Sequence, residues 1–306
     1  MPNTFVNNNP AGNSGYAKYG ENTLSAIRKV ILTPKGYTMT NLAAAVQSST
    51  WIAATKATKA LRIYPLPLAV DVKPASEADV YESRKLAGKK FIRTGKEGMM
   101  LTLDINPLVA AKLGKSINFK NWDVFFGDEN GNILGTTPDG ILFKALSCTD
   151  VHLGKMEFSD GSKARTNELS IVLTDPAEWN YSPALISQNL LTAGFNINTL
   201  DGVYDVNIAV SGATTAGFTA SVNIDGFALT DPDGQRPGLA KADFVLAKAG
   251  VPVSLSGATM TDNGDGTYGF AITQTSGNFT LTLVPCASIS VTDYAIEPLA
   301  VATFTI

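Results

Sequence analysis

Apolar and polar residues alternate with a period of two in several short stretches of this chain. The clearest runs from 121 to 140, NWDVFFGDENGNILGTTPDG. Trp122, Val124 and Phe126 alternate with Asn121, Asp123 and Phe125, so one face is strongly apolar. Side chains on a strand point to opposite faces in turn, and this pattern predicts a half-buried strand. Asn130-Gly131 is the dipeptide that accepts positive φ at a hairpin tip, and 132–136 reads as the returning strand. Thr137-Pro138-Asp139-Gly140 closes it with a second turn.

The same period predicts strands on either side. Ile27, Val30, Ile31 and Leu32 mark one over 26–33. Met99, Leu101, Leu103 and Ile105 mark another, and Leu169, Ile171 and Leu173 a third over 168–174. Two further strands are expected at 141–147 and 151–158, with a turn at Asp160-Gly161-Ser162. Residues 61–72 are apolar but carry Pro65 and Pro67, which lack the ladder donor and predict an edge strand or extended connector. Helices are expected in two places. Asn41 caps an Ala-rich run over 42–58. Asn106 caps a short one that has Pro107 in its first turn and ends at Gly114.

From Leu200 onward the pattern changes. Short strands at 203–210, 218–224, 243–246, 269–273, 279–284 and 302–306 are separated by turns such as Asp231-Pro232-Asp233-Gly234. About a hundred residues of this kind predict a small β-sandwich of immunoglobulin type. The chain is therefore expected to be mainly β. A flexible arm covers 1–22, and a sandwich or barrel-like domain with one or two helices covers 23–182. A linker at 183–199 leads to the second sandwich at 200–306.

Composition narrows the function classes. The chain has 306 residues and a net charge of −3, so no global case exists for a nucleic-acid partner. Charged residues make up 17%, below the usual quarter, which fits much surface covered by protein. The two cysteines, Cys148 and Cys286, exclude a disulfide framework and a cysteine metal cluster. No signal-peptide core and no run of about eighteen apolar residues is present, so no membrane anchor is expected. The segment 74–98 stands out, with Arg84, Lys85, Lys89, Lys90, Arg93 and Lys96 among Glu77, Glu82 and Glu97. It reads as a solvated loop or hairpin, or as a basic arm reaching an acidic surface on a neighbouring subunit.

Candidate chemistry is sparse. Cys148, Asp150 and His152 stand at i, i+2 and i+4, so a regular strand puts them on one face. At about 7 Å spacing along that face they are too far apart for a hydrogen-bonded relay. Residues 128–139 begin like a calcium loop, but Ile133 and Asp139 replace the required glycine and glutamate. Asp262 and Asp265 are residues a hairpin turn wants in any case. No cofactor and no catalytic set is expected, although the separation of a glycosidase-type carboxylate pair is not visible in sequence.

The order strand at 99–105, short helix at 106–114 and hairpin at 121–134, preceded by the basic segment 74–98, resembles the major tail tube proteins of tailed bacteriophages. The VYDVNIAV and DNGDGTYGFAI segments are similar to the immunoglobulin-like domains that some of these proteins carry at the C-terminus. The resemblance implies a non-enzymatic virion protein assembled in the host cytoplasm. It implies stacked hexameric rings, contacts with other virion proteins, and a channel that passes DNA without sequence-specific binding. A capsid or other tail component is the near alternative. A carbohydrate-binding sandwich is the other, and it requires exposed aromatics among Phe218, Phe227, Tyr268 and Phe270.

Overall fold

A computed structural model describes residues 24–84, 88–105, 107–118, 120–156, 166–180, 182–227, 231–290 and 295–306. The protein is mainly β and divides into two compact units. The first comprises 1–54 and 60–201; the second comprises 55–59 and 202–306. The expected arm 1–22, the cap Asn106 and the turn at 160–162 lie outside the described residues.

The first unit opens with β1 (Ile27–Pro34) and β2 (Thr38–Met39), then α1 (Leu42–Ala45) and α2 (Ser48–Lys56). The sequence predicts one helix over 42–58. The structure breaks it at Val46 and Gln47, although Asn41 does cap it by accepting from Ala44 N at 2.8 Å. The break lets the Trp51 indole donate to the Ala45 carbonyl at 2.9 Å while the ring is fully buried. Next come β3 (Tyr64–Pro65), β4 (Ala69–Pro74), β5 (Val80–Arg84), β6 (Gly88–Arg93) and β7 (Gly98–Leu103). Helix α3 (Pro107–Ile117) runs one turn past Gly114, the expected stop. Ile117 is buried in the core, and its carbonyl accepts from the Trp122 indole at 3.1 Å.

The remaining elements are β8 (Trp122–Asp128), β9 (Ile133–Thr136), β10 (Phe143–Lys144), β11 (Leu146–Met156), β12 (Asn167–Leu173), α4 (Pro176–Asn180) and β13 (Pro183–Ile186). Among the described residues the unit thus shows four short helices where one or two are expected. The main sheet runs β2-β10-β9-β8-β11-β12-β7-β4, with β1 on β8 and β13 on β9. Strand β11 serves both halves. Leu146 and Ser147 pair with β8, and Cys148 onward pairs with β12. A bulge at Thr149 marks the crossing, the device by which a strand leaves one sheet for another.

Strand β8 is buried on both faces, which corrects the half-buried expectation. Trp122, Val124 and Phe126 join Val30, Leu101 and Ile171 in one core. Phe125 points the other way and joins Ile31, Trp51, Ile133 and Phe143 in a second. What covers that second face is partly the segment expected as a linker. Ala184 and Ile186 of β13 and, beyond them, Leu191, Ile197 and Leu200 complete the second core. Residues 183–199 therefore belong to the first unit's packing.

The second unit is a β-sandwich. Its strands are β14 (Val203–Thr214), β15 (Gly217–Ile224), β16 (Phe244–Lys248), β17 (Val251–Val253), β18 (Thr259–Asp262), β19 (Thr267–Ala271), β20 (Asn278–Leu283), β21 (Ala295–Pro298) and β22 (Ala302–Thr305). One sheet runs β18-β19-β15-β14-β21, with β21 parallel to β14; the other runs β17-β16-β20-β22. Phe218, Phe244, Tyr268, Phe270 and Phe279 fill the space between. Tyr268 is wholly buried, and its hydroxyl meets Leu239 N and the Arg236 carbonyl, so the polar tip is satisfied.

Candidate functional site

The basic segment 74–98 is a hairpin. Ala75 N donates to Gly98 O at 2.9 Å and Glu77 N to Lys96 O at 2.8 Å, extending the β4–β7 pairing outward. Gly95 sits where the ladder narrows; a Cβ there would lie 2.0 Å from the Glu77 carbonyl oxygen, so only glycine fits. Beyond it β5 and β6 pair with each other in a two-stranded sheet of their own. Five residues of strand reach about 17 Å. A two-stranded ribbon without a packed face is marginal in water by itself.

The arm presents both charge and apolar surface. Tyr81, Phe91 and Ile92 are 49%, 50% and 56% exposed. Tyr81 and Phe91 are cross-strand partners whose rings meet edge to face at 5.7 Å. Lys89, Lys90 and Lys96 are exposed. Arg93 lies 3.7 Å from Glu77 in an exposed pair. Arg84 ends β5, and Lys85 lies outside the described residues. The structure thus brings most of the sequence-singled cations onto one arm. The sequence does not show that aromatic and aliphatic side chains stand exposed among them.

The Cys148, Asp150 and His152 row is taken apart by the bulge. Cys148 faces the core with Val151 and Leu153, while Asp150 and His152 face solvent. Burial pushes the Cys148 thiol well up from its ordinary range, and the nearby Asp123 and Glu178 carboxylates add to this, so the thiolate is disfavoured. His152→Ala is expected to change stability by less than about 0.5 kcal/mol. Cys148→Ser, which buries a hydroxyl, is expected to cost about 1–3 kcal/mol. Thermal melts of both variants check these values, and any turnover that both abolish would overturn the structural role.

The candidate cation turns are occupied by the protein's own donors. Buried Asp128 accepts from Ser25 N, Asn130 N, Asn132 N and Asn132 Nδ2 at 2.7–3.1 Å. Asp262 accepts from Gly238 N and Gly264 N, and Asp265 from Thr267 N and Oγ1. Hydrogen bonds from Thr267 hold the Asp265 carboxyl below its usual range. Among the described residues no group of three or more His, Cys, Asp or Glu side chains could hold a metal ion.

Sequence reasoning missed one polar cluster. Lys144 Nζ lies 2.7 Å from Glu178 Oε1 and 3.1 Å from Ser147 Oγ, and Ser147 N and Oγ both donate to Glu178. A serine beside a lysine suggests a nucleophile and its base. Here, however, the Ser147 hydroxyl donates to Glu178 Oε1 at 3.0 Å, and Lys144 is ion-paired with that same oxygen. The cluster ties α4 to β10 and β11. Glu178 lies 31 and 34 residues from Ser147 and Lys144, so no local motif announces the cluster.

Of the four aromatics that a carbohydrate platform would need, Phe218, Tyr268 and Phe270 are buried and only Phe227 is exposed. No helix among the described residues is long and apolar enough to cross a membrane. No protein-family model matches the chain, and no curated protein gives a significant match to it.

Proposed function

We propose that this protein is a structural subunit that assembles with copies of itself, and that it forms the tail tube of a tailed bacteriophage. In this reading the subunits close into hexameric rings, and the rings stack around a channel that conducts DNA. The observation that carries the reading is the β5–β6 arm: a ribbon that, among the described residues, pairs its strands only with each other and exposes Tyr81, Phe91 and Ile92 between cations. Such a surface asks for a partner.

Two further features support it. The strand–helix–hairpin order β7, α3, β8–β9 is the order by which the chain resembles tail tube proteins. The second unit pairs its strands as β14-β15-β19-β18 and β17-β16-β20-β22, which corresponds to the ABED and C′CFG sheets of an immunoglobulin sandwich. Its place in this reading is the outside of the tube. The polar Ser–Lys–Glu cluster and the turn carboxylates have structural roles, and the subunit carries out no catalysis.

Negative-stain microscopy and light scattering of the purified protein test the proposal. Rings or tubes are expected, at high concentration if not at low. Replacing Lys89, Lys90 and Arg93 by Glu should weaken assembly severalfold, because the reversed charges face an acidic neighbour. A strict monomer at every concentration and salt would sink the proposal.

A further inference from the structure

Lys29 of β1 is 3% exposed. Strand alternation turns it to the side of Ile31, toward the second core of the first unit. Its Nζ donates to the Asn198 carbonyl at 3.5 Å, in the short turn Ile197–Thr199. A buried ammonium calls for more than one long contact to a carbonyl. The Asn198 side chain is half satisfied as well. Its Nδ2 donates to Asp128 O at 2.8 Å, while its Oδ1 is buried and accepts no hydrogen bond among the described residues. Gly127 pairs with Lys29 across β1 and β8. A Cβ at 127 would lie 2.9 Å from Lys29 Cβ and 3.4 Å from Asn198 Oδ1. Glycine there leaves the space that the lysine stem and the carboxamide share.

These two groups are an amine and an acyl donor. Burial lowers the Lys29 pKa, and the Asp201 carboxylate opposes this without cancelling it. The neutral amine, which is the nucleophile, is thereby favoured. The carboxamide is held from two sides. Asp128 O accepts from its Nδ2, and Asn196 Oδ1 accepts from the Asn198 backbone N at 2.9 Å. Amides react sluggishly with amines in water, but two reactants fixed together behave as if greatly concentrated. Asp201 is close enough to act on the Lys29 charge and is exposed, so its carboxylate can exchange protons.

We propose that Lys29 and Asn198 join through an intramolecular amide bond. Nζ bonds to Asn198 Cγ, and the Cγ–Nδ2 bond breaks. Nζ begins as an ammonium and ends as an amide N–H. The two protons it gives up pass by way of Asp201 to the departing nitrogen, which leaves as ammonium. Charge is conserved, and no oxidant or cofactor takes part. The link removes a buried charge and ties β1 to a position 169 residues further on. It is internal to one subunit and does not depend on the self-assembly reading.

Mass spectrometry of the purified full-length chain, aged for several days at room temperature, tests the bond. Wild type should be lighter than its sequence mass by one ammonia, about 17 Da. A succinimide at an Asn–Gly step loses the same mass, and Asn130-Gly131 and Asn263-Gly264 are two such steps. Lys29→Met keeps both steps and should return to full sequence mass. Asn198→Asp should form the same amide by losing water in place of ammonia, about 18 Da. Asp201→Asn should form the bond about a hundredfold more slowly, the usual worth of a placed proton-transfer group. Trypsin should release from wild type one branched peptide that carries both residue 29 and residue 198. Wild type found at its full sequence mass, a result that needs no variant to fold, would overturn the proposal. So would a deficit that Lys29→Met retains.

Discussion

A chain ended after Asp201 is expected to fold, and one ended after Leu190 is not. The two differ by eleven residues that carry Leu191, Ile197 and Leu200, all buried in the second core of the first unit. Removing a buried aliphatic side chain forfeits about 1.5–3 kcal/mol, so the shorter chain loses about 4.5–9 kcal/mol. That is comparable with the whole stability of an ordinary domain, about 5–15 kcal/mol. Polar contacts go as well: Asn198 Nδ2 donates to Asp128 O at 2.8 Å, and Gln188 Nε2 to Phe195 O at 2.5 Å. The 1–201 chain should show a cooperative melt, and the 1–190 chain should aggregate or melt without cooperativity. If the 1–190 chain melts like the longer one, the segment is a linker after all. If the first unit alone builds the assembly, the 1–201 chain should also form the same rings or tubes with a thinner wall.

This boundary shows where the sequence is readable and where it is not. Strands β7 and β12 are legible because each has one wet face. Met99, Leu101 and Leu103 are buried between half-buried neighbours, and Leu169, Ile171 and Leu173 likewise. The period of two survives in such strands. It fails where both faces are covered, because β8 then has no polar side to contrast with. It also fails at 183–199, where Pro183, Gly194, three asparagines and a serine give the composition of a linker while apolar residues among them reach the core.

The candidate site was legible to a similar degree. The run of cations within 74–98 marks a surface segment in the sequence itself. That it is a hairpin follows only from pairing, since the β4–β7 ladder closes at Pro74 and Met99, 25 residues apart. Cys148, Asp150 and His152 look like one row because sequence spacing assumes a regular strand, and a one-residue bulge reverses the facing of everything after it. The cluster of Lys144, Ser147 and Glu178 depends on a contact between residues 31 apart, and no spacing rule reports it.

Phe125→Ala and Phe126→Ala should each cost about 3–5 kcal/mol, the usual range for emptying a fully buried aromatic site. Both rings are wholly buried, and among the described residues they meet different aromatic partners. Phe125 stacks on Phe143 at 4.9 Å and meets Trp51 edge-on at 5.3 Å. Phe126 points into the opposite core and meets Trp179 edge-on at 6.5 Å. A half-buried β8 predicts something different: a large loss for Phe126 and almost none for Phe125. With about 2–4 °C lost per kcal/mol in a unit of this size, each variant should melt about 6–20 °C lower than wild type. The double variant should come close to the sum, because the two cavities open on opposite sides of the strand and have separate linings. A Phe125→Ala protein that melts within a degree of wild type would show that the second core does not exist. The roles given to Trp51, Ile186 and Ile197 would then fall with it.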